Sequence, residues 1–232
     1  MQTPSDDRLV DLRLRDFVAR LASGDPVPGG GSASAVAASL GAALVAMVAE
    51  LSQGRPRYAV HNALHAEVRD RGKALADRLL ALADADAVAY ARFAAAMKLP
   101  QDDDAQRESR AAAMREAARE AAEVPLLTVE ACLEVVASTE ALAGRSNRNA
   151  ASDLNVAALL AEAAARGAAA NVMVNLPSLD EGDPFVDEAT TRVDGLLHDI
   201  GRFASVTRSL VLSGTAREPV EPVEPSSVGP TG

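Results

Sequence analysis

Long stretches of helical periodicity, separated by short segments rich in glycine, proline or asparagine, organise the chain. In the first stretch the apolar residues Leu9, Leu12, Phe17 and Leu21 recur near helical spacing. The pattern predicts six helices, at about 6–22, 32–52, 57–97, 105–143, 151–175 and 184–212. We find no alternation of apolar and polar residues typical of a strand, so we predict an all-α fold, an up-and-down bundle of long helices.

The end of the chain differs in composition from the rest. Its Glu-Pro-Val repeats are typical of disordered or polyproline II segments. We therefore expect one helical domain over residues 1–212 and a disordered Pro-rich tail over 213–232. Within the fourth helix, Pro125 is expected to cause a kink, because proline lacks a backbone donor.

Two of the predicted helices carry almost no charge. Residues 32–49 have none, and the helix at 151–175 has only Asp153, Glu162 and Arg166. One small bundle does not need two such helices inside it, so we expect another subunit to cover part of them, giving a homodimer. The stretch 32–49 has about the length of a membrane span, but its small residues gain little from lipid, so no membrane partner is expected.

Composition narrows the function further. The chain has 232 residues, of which 48% are hydrophobic and 3% aromatic, so its core must be built from alanine, leucine and valine. A net charge of −10 argues against nucleic-acid binding, which needs clustered basic residues. The single cysteine, Cys132, and a charged N-terminus without a secretory signal indicate a cytoplasmic protein.

The glycine loop, Pro28-Gly29-Gly30-Gly31-Ser32, precedes the first uncharged helix, with Ser32 where an N-cap is expected. No Lys-Ser/Thr follows and no strand precedes it, so it is not a phosphate-binding P-loop. Two interpretations stay open. The free amides receive an anionic or carbonyl group of a ligand, or the small residues only let one helix enter closely between others.

A second polar cluster, Asn147, Asn149, Ser152 and Asp153, marks the start of the fifth helix. Asn149 and Asp153 are four residues apart, so they share a helix face and place an amide beside a carboxylate that could act as a general base. The alternative is ordinary capping, since Asn, Ser and Asp are common at helix starts. Asn171 forms a pair with Asn175 at the far end of that helix. It lies about 27 Å from Asp153 along the axis, so one compact site in one monomer cannot hold both.

Several other polar side chains are compatible either with a functional site or with an ordinary position on the surface or in the core. Arg55 and Arg57 border one polar segment and Arg145 and Arg148 the other, which suits a carboxylate-bearing ligand or plain surface charge. His61 and His65 have metal-pair spacing without an apparent third ligand, so no metal site is expected. Asp84 and Asp86 are expected either at a cleft or on an exposed helix face. Cys132 is expected in the core.

Four ordered segments resemble the C-terminal domain of the formiminotransferase-cyclodeaminase family, which includes stand-alone methenyltetrahydrofolate cyclohydrolases. Together they span roughly 16–187 with the family's spacing. They are the glycine loop with its flanks, Gly54-Arg55-Pro56-Arg57-Tyr58, Val124-Pro125-Leu126, Asn147-Arg148-Asn149-Ala150-Ala151-Ser152-Asp153 and Asn171-Val172-Met173-Val174-Asn175-Leu176. Asn155 departs from the pattern, because relatives usually carry glycine there.

The resemblance implies a helical homodimer with a folate cleft near the glycine loop and the Asn/Ser/Asp segment. The implied activity is hydrolysis of 5,10-methenyltetrahydrofolate to 10-formyltetrahydrofolate. The alternatives are a formiminotetrahydrofolate cyclodeaminase that releases ammonia, or a non-catalytic folate-binding helical protein, which Asn155 keeps open. No formiminotransferase domain is present in the sequence, which favours the cyclohydrolase.

The resemblance also assigns roles, with folate as substrate and no metal or redox cofactor. Asp153 is expected to transfer protons, with Asn149 and Ser152 as its catalytic neighbours and Asn147 orienting the substrate. The amides of the glycine loop would receive a polar edge of the folate; these residues are Gly29, Gly30, Gly31 and Ser32. The glutamate end of the folate would be held by Arg55, Arg57 and Tyr58.

Overall fold

A computed structural model of the protein describes residues 8–219. Within that range the regular structure is helical, with no strand, so the predicted all-α class is confirmed. Short 3₁₀ turns precede or follow several helices, among them Leu9–Asp11, Pro56–His61 and Arg148–Ala150. The α-helices are α1 (Leu14–Leu21), α2 (Gly30–Ser52), α3 (Asn62–Ala96), α4 (Asp104–Leu142), α5 (Ala151–Asn175) and α6 (Pro184–Ser213).

Successive long helices run in opposite directions, as expected for an up-and-down bundle. Ser39 of α2 donates a hydrogen bond to the carbonyl of Ala76 on α3 (3.0 Å), and Ser32, near the start of α2, reaches the later part of α3. Between α5 and α6, Glu162 pairs with Arg208. α2 also packs directly against α4 and α5, so it lies at the centre of the bundle.

The core is made of small aliphatic side chains. Its largest fully buried residues include Leu79, Leu142, Leu154 and Ile200, and most of the remainder are alanine and valine. Short side chains allow close helix packing, which explains how a chain with no tryptophan and only four phenylalanines fills its interior. Cys132 is a buried core residue, as predicted, and its burial raises the pKa of the thiol to about 12.

The first helix and its neighbour differ from the predictions at their ends. The predicted helix 6–22 is divided into the 3₁₀ turn Leu9–Asp11 and α1, and residues 6 and 7 lie outside the described range. The prediction of Ser32 as an N-cap is wrong: Gly29 occupies that position, and Ser32 lies in the first turn of α2. α4 continues through Pro125, and α5 and α6 begin at the predicted residues.

The segment after α6 packs back onto the bundle. Gly214 ends the helix in a left-handed conformation, and the backbone N–H of Arg217 donates to the carbonyl of Gly144 (3.0 Å). Arg145 donates to the carbonyl of Glu218 (2.7 Å). Residues up to 219 of the predicted tail therefore contact the α4–α5 turn, and 220–232 lie outside the described residues.

Two helices are apolar on faces that point away from the core. Leu40 of α2 and Leu159 of α5 are about half exposed, at 55% and 46%. By length and composition alone, Gly30–Ser52 and the stretch Arg148–Ser178 would be able to cross a membrane, and the second was not foreseen from the sequence. Core helices of soluble proteins pass the same test.

Candidate active site

The predicted site residues fall into two groups at opposite ends of the bundle. The glycine loop forms the N-terminal end of α2, whose first residue is Gly30, whereas the segment from Arg55 to Tyr58 follows its last residue. Asn147 lies at this second end, since its backbone N–H donates to the hydroxyl of Ser52 (2.8 Å). The 22 residues between Gly30 and Ser52 span about 33 Å in a helix. One chain therefore does not bring the two groups together.

At the first end, the glycine loop faces Asp86 of α3. The hydroxyl of Ser32 donates a hydrogen bond of 2.7 Å to Oδ2 of this carboxylate. Gly31 leaves room for the contact: a Cβ at this position would lie 2.0 Å from Oδ1 of Asp86. Glycine is therefore needed at position 31, because the carboxylate of Asp86 occupies the space that a side chain would fill.

Burial changes the chemistry of Asp86. The pKa of its carboxyl is raised above the ordinary value because burial disfavours the charged form, and hydrogen bonds from the side chain and backbone of Ser32 oppose this only in part. A carboxylate with a raised pKa is a stronger base than an exposed aspartate and gives up its proton closer to neutral pH. Asp86 is therefore well suited to proton transfer.

Asp86 lines a small cavity of about 160 Å³ with the glycine loop. Tyr90, one helical turn further along α3, and Asn171 of α5 complete its wall. A Cβ on Gly30 would lie 3.6 Å from Nδ2 of Asn171, so the amide directly faces the loop. The cavity thus combines a carboxylate, a phenol, an amide and the backbone at the start of a helix.

At the second end, the basic segment and the asparagine turn lie side by side. The backbone N–H of Arg148 donates to the hydroxyl of Tyr58 (3.1 Å), and Asn149 N–H donates to Oδ1 of Asn147 (3.1 Å). A shallow cleft here is lined by Arg55, Pro56, Arg57, Tyr58, Asn147, Arg148 and Asn149. Its guanidinium groups suit a carboxylate ligand.

Asp153 and Ser152 lie in the first turn of α5, next to this cleft but not among its lining residues. Ser152 is exposed and Asp153 half exposed, and neither side chain has a hydrogen-bond or ion-pair partner within residues 8–219. Asn155, one turn further on, has a buried Oδ1 without a partner in the same range. The side chains of Ser152 and Asp153 are therefore available to a ligand or to a second subunit, whereas Oδ1 of Asn155 is enclosed by the chain.

The sequence analysis did not select Asp86, Tyr90 or Asn171 for the site. Asp84 and Asp86 were both considered, and the structure separates them: Asp84 pairs with Arg8 at 3.1 Å, away from the glycine loop. The i, i+4 spacing of Asp86 and Tyr90 was the available signal, because it places both on one helix face.

The two histidines at metal-pair spacing are buried at the second end. Nε2 of His65 lies 2.9 Å from the carbonyl of Arg145, which can only accept, so this nitrogen carries the proton. Burial lowers the pKa of both imidazoles, and the proximity of His65 and Arg145 lowers that of His61 further. The ring of His65 is therefore held by a backbone carbonyl as a neutral core group.

Comparisons with known proteins agree with one family. The formiminotransferase-cyclodeaminase family model matches residues 13–194. The chain is 37% identical over 188 residues to a methenyltetrahydrofolate cyclohydrolase of Methylorubrum extorquens, covering 81% of this chain and 90% of that protein. It is 34% identical over 194 residues to a formimidoyltransferase-cyclodeaminase of Mus musculus, covering 84% of this chain and 36% of the mouse protein.

The fold also matches a solved structure. A formiminotetrahydrofolate cyclodeaminase from Thermotoga maritima aligns with a TM-score of 0.78 at 23% sequence identity. The alignment covers 87% of this chain and 96% of that chain. At this identity the likeness shows a shared helical fold.

Proposed function

Because the chain belongs to the formiminotransferase-cyclodeaminase family, we propose that it is a methenyltetrahydrofolate cyclohydrolase, hydrolysing 5,10-methenyltetrahydrofolate to 10-formyltetrahydrofolate. The bacterial relative with this name matches over 90% of its own length, whereas the chain spans about a third of the mouse bifunctional protein. In the structure, the observation that carries the proposal is the half-buried carboxylate of Asp86 against the glycine loop, with its pKa raised by burial.

The reaction asks little of the protein beyond positioning and proton transfer. The reactive carbon of the substrate is an electrophilic amidinium, to which water adds. Asp86 takes a proton from the attacking water as the new C–O bond forms. The C–N5 bond then breaks, N5 takes the proton from Asp86, and the hydroxyl proton leaves to solvent. The formyl group stays on N10, and one proton is released overall.

Other groups of the first end assist this step. The hydroxyl of Ser32 donates to Asp86 and keeps the carboxylate turned toward the cavity. Backbone amides of Gly29, Gly30 and Gly31 receive a carbonyl edge of the pterin at the start of α2. Asn171 faces the same loop and orients the ring system.

The second end contributes to the same site through a homodimer. Two copies that meet through the apolar faces of α2 and α5, related by a two-fold axis in the plane of contact and perpendicular to α2, place the start of one α2 beside the end of the other. The exposed apolar residues on these faces support this arrangement, because water-exposed patches of this kind commonly mark interfaces. They include Leu40, Met47, Leu51, Val156 and Leu159.

In this dimer, the site of one copy receives the polar cleft of the other. Arg55, Arg57 and Tyr58 hold the glutamate end of the folate, and their charge and shallow cleft support this role. Asn147, Asn149 and Ser152 orient the substrate, and Asp153 assists proton transfer from the opposite side. The unpartnered state of Asp153 among residues 8–219 supports a role that is completed only by substrate and a second copy.

The proposal is tested by following the loss of near-ultraviolet absorbance of 5,10-methenyltetrahydrofolate above the spontaneous rate. Acceleration by the purified full-length chain, abolished in Asp86→Asn, is expected. Asp84→Asn is the matched control, because Asp84 pairs with Arg8 away from the loop. No acceleration by the unaltered protein would contradict the proposal.

A second activity shares the same carbon chemistry. The family relatives from mouse and Thermotoga maritima are named as cyclodeaminases, so formiminotetrahydrofolate is the alternative substrate. Ammonia release from it, with no acceleration of methenyl hydrolysis, would favour the cyclodeaminase. Folate binding without either reaction would favour a non-catalytic protein, in which Asn155 narrows the cleft.

We further propose that the enzyme works in the cytoplasm without membrane, metal or redox cofactor. The single buried cysteine, which has no second cysteine in this sequence to pair with, supports the compartment. The reaction itself involves no change of oxidation state. Turnover that is unchanged by a strong chelator is the expected result, and loss of activity that added metal restores would contradict this part.

A further inference from the structure

A second cavity, next to the cleft proposed for the glutamate end of the folate, lies at the end of the bundle where α6 finishes. We call it the C-terminal cavity; its volume is about 250 Å³. Hydrogen-bond donors dominate its polar lining, and no aspartate or glutamate is among the lining residues. The polar side chains are Arg57, Tyr58, His61, Ser146, Arg148, Thr215 and Arg217.

The segment after α6 closes this cavity. Arg217 is fixed to the bundle by its backbone N–H, which donates to the carbonyl of Gly144 (3.0 Å). Gly144 has a φ of +76°, and a Cβ there would lie 2.5 Å from the carbonyl oxygen of Thr215, so only glycine permits this approach. This segment lies beyond residues 13–194, the range of the family match.

Charge in the C-terminal cavity is only partly balanced. Arg217 donates to the carboxylate of Glu140 (2.5 Å), but Arg57 and Arg148 have no carboxylate within 4.0 Å among residues 8–219. Tyr58 accepts from the backbone of Arg148, which leaves its own hydroxyl hydrogen free to donate. In a protein of net charge −10, a pocket of this composition is a local site for an anion.

The floor of the C-terminal cavity is apolar. Leu154 of α5 and Leu210 and Val211 of α6 form it, opposite the arginine side chains. Ligand sites commonly combine a mostly apolar wall with a few convergent polar groups. The volume lies just below the usual range of about 300–1,000 Å³ for drug-sized ligands, so the occupant must be small.

We propose that the C-terminal cavity binds a small organic anion, with a carboxylate or phosphate held by the arginines and an apolar body on the leucine floor. Arg and carboxylate or phosphate groups form paired charge-assisted hydrogen bonds, which fits this recognition. Arg57, Tyr58 and Arg148 line both this cavity and the cleft before Asn147. The cavity and the cleft are therefore adjacent, and we expect the anion to occupy the C-terminal cavity while the folate occupies the cleft.

The test uses phenyl phosphate as the probe. Inorganic phosphate, which has only the anionic group, and phenol, which has only the aromatic ring, are the two controls. Calorimetric titration of the full chain is expected to give saturable binding of phenyl phosphate, at least tenfold weaker binding of inorganic phosphate and none of phenol. Arg148→Gln and Arg217→Gln are each expected to weaken the binding of phenyl phosphate at least tenfold. Arg202→Gln on α6 is the matched control, because Arg202 does not line the cavity.

The imidazole resonances locate the probe. Of the three histidines, His61 lines the cavity and His198 does not. The His61 signals are expected to shift with phenyl phosphate while those of His198 stay in place. Circular dichroism melting verifies that each variant is folded, and Arg148→Lys, which keeps the charge without the fork of donors, is expected to retain part of the affinity.

Four results would overturn the proposal. They are no saturable binding of phenyl phosphate or inorganic phosphate, equal binding of phenol, binding unaffected in both folded arginine variants, and displacement of phenyl phosphate by saturating folate substrate. Binding that persists beside the folate substrate supports a separate site. This result does not depend on turnover, so it is distinguishable from failure of the proposed cyclohydrolase activity.

Discussion

The two ends of α2 differ in the kind of chemistry they present. At its start, a half-buried carboxylate faces a glycine loop in a narrow cavity, and Ser32 holds Asp86 by a hydrogen bond. At its end, the polar groups are arginines, a tyrosine and asparagines around an open cleft. The first end is built for proton transfer, and the second is built to hold a charged group.

This division explains why motifs far apart in the bundle belong to one activity. A folate has a reactive ring system at one end and a glutamate at the other, so it needs both kinds of surface. About 33 Å of helix separates them within one chain. In the proposed homodimer, the exposed apolar residues of α2 and α5 would bring the start of one α2 beside the end of the other.

The largest effect is expected from Asp86→Asn. Removing the base should lower kcat by about 10²–10⁴-fold, since positioned general bases contribute this much. Steady-state assays of methenyltetrahydrofolate hydrolysis measure it. Asp84→Asn is expected to retain turnover, and an Asp86→Asn enzyme with full kcat would remove this carboxylate from the mechanism.

Disruption of the apolar face is expected to remove activity by a different route. Leu159→Arg places a charge where 46% of the side chain is exposed, so the folded chain tolerates it but a dimer interface does not. Light scattering should report monomers, and turnover should fall at least tenfold. Leu212→Arg, at another exposed leucine on α6, is the control and should stay dimeric and active. Monomers with full activity would refute the shared site.

A smaller effect is expected from the second end. Arg57→Gln should raise KM for the folate by roughly 10–100-fold with little change in kcat, because a hydrogen bond to a charged group contributes about 1.5–3 kcal/mol. Arg71→Gln, on an exposed part of α3 where Arg71 pairs with Glu67, is the matched control. A fall in kcat at unchanged KM would place Arg57 at the reacting carbon instead.

The smallest expected effect concerns stability. Burial raises the pKa of Asp86 above its value of 3.8, so the folded state retains the proton to higher pH than the unfolded state. The free energy of unfolding therefore decreases as pH rises from about 4 through the raised pKa. Asp86→Asn lacks this decrease. The free energy of unfolding of the variant, compared with that of the unaltered protein, should therefore be larger at pH 7 than at pH 4. Urea unfolding at both values tests the sign, and a relative loss of stability at pH 7 would contradict it.

Local sequence signals predicted the later helices well. The starts of α5 and α6 follow directly from an asparagine-rich turn and from Asp183-Pro184, which cap or begin helices by local chemistry. Ser32 was misjudged because its hydroxyl bonds to Asp86, 54 residues away, instead of to its own backbone. Such a tertiary partner leaves no local trace.

Only part of the site could be predicted from the sequence, because its tertiary contacts leave no local signal. Asp84 and Asp86 are equally plausible from their spacing, and only the packing of α3 against α2 separates the one that pairs with Arg8 from the one that meets Gly31. Arg57, Tyr58 and Asn147 were each selected as substrate-binding residues, but their position around one cleft follows from the packing of the chain. The wall contributed by Arg217 was not predicted, because the tail was expected to be disordered.

Complementation between two variants tests the shared site most directly. Asp86→Asn and Asp153→Asn are each expected to be nearly inactive alone. When they are refolded together in equal amounts, half of the dimers are mixed, and each mixed dimer has one site with both carboxylates intact. The account predicts recovery to about a quarter of the unaltered activity. A mixture that shows only the summed activity of the two variants would contradict a site shared between copies.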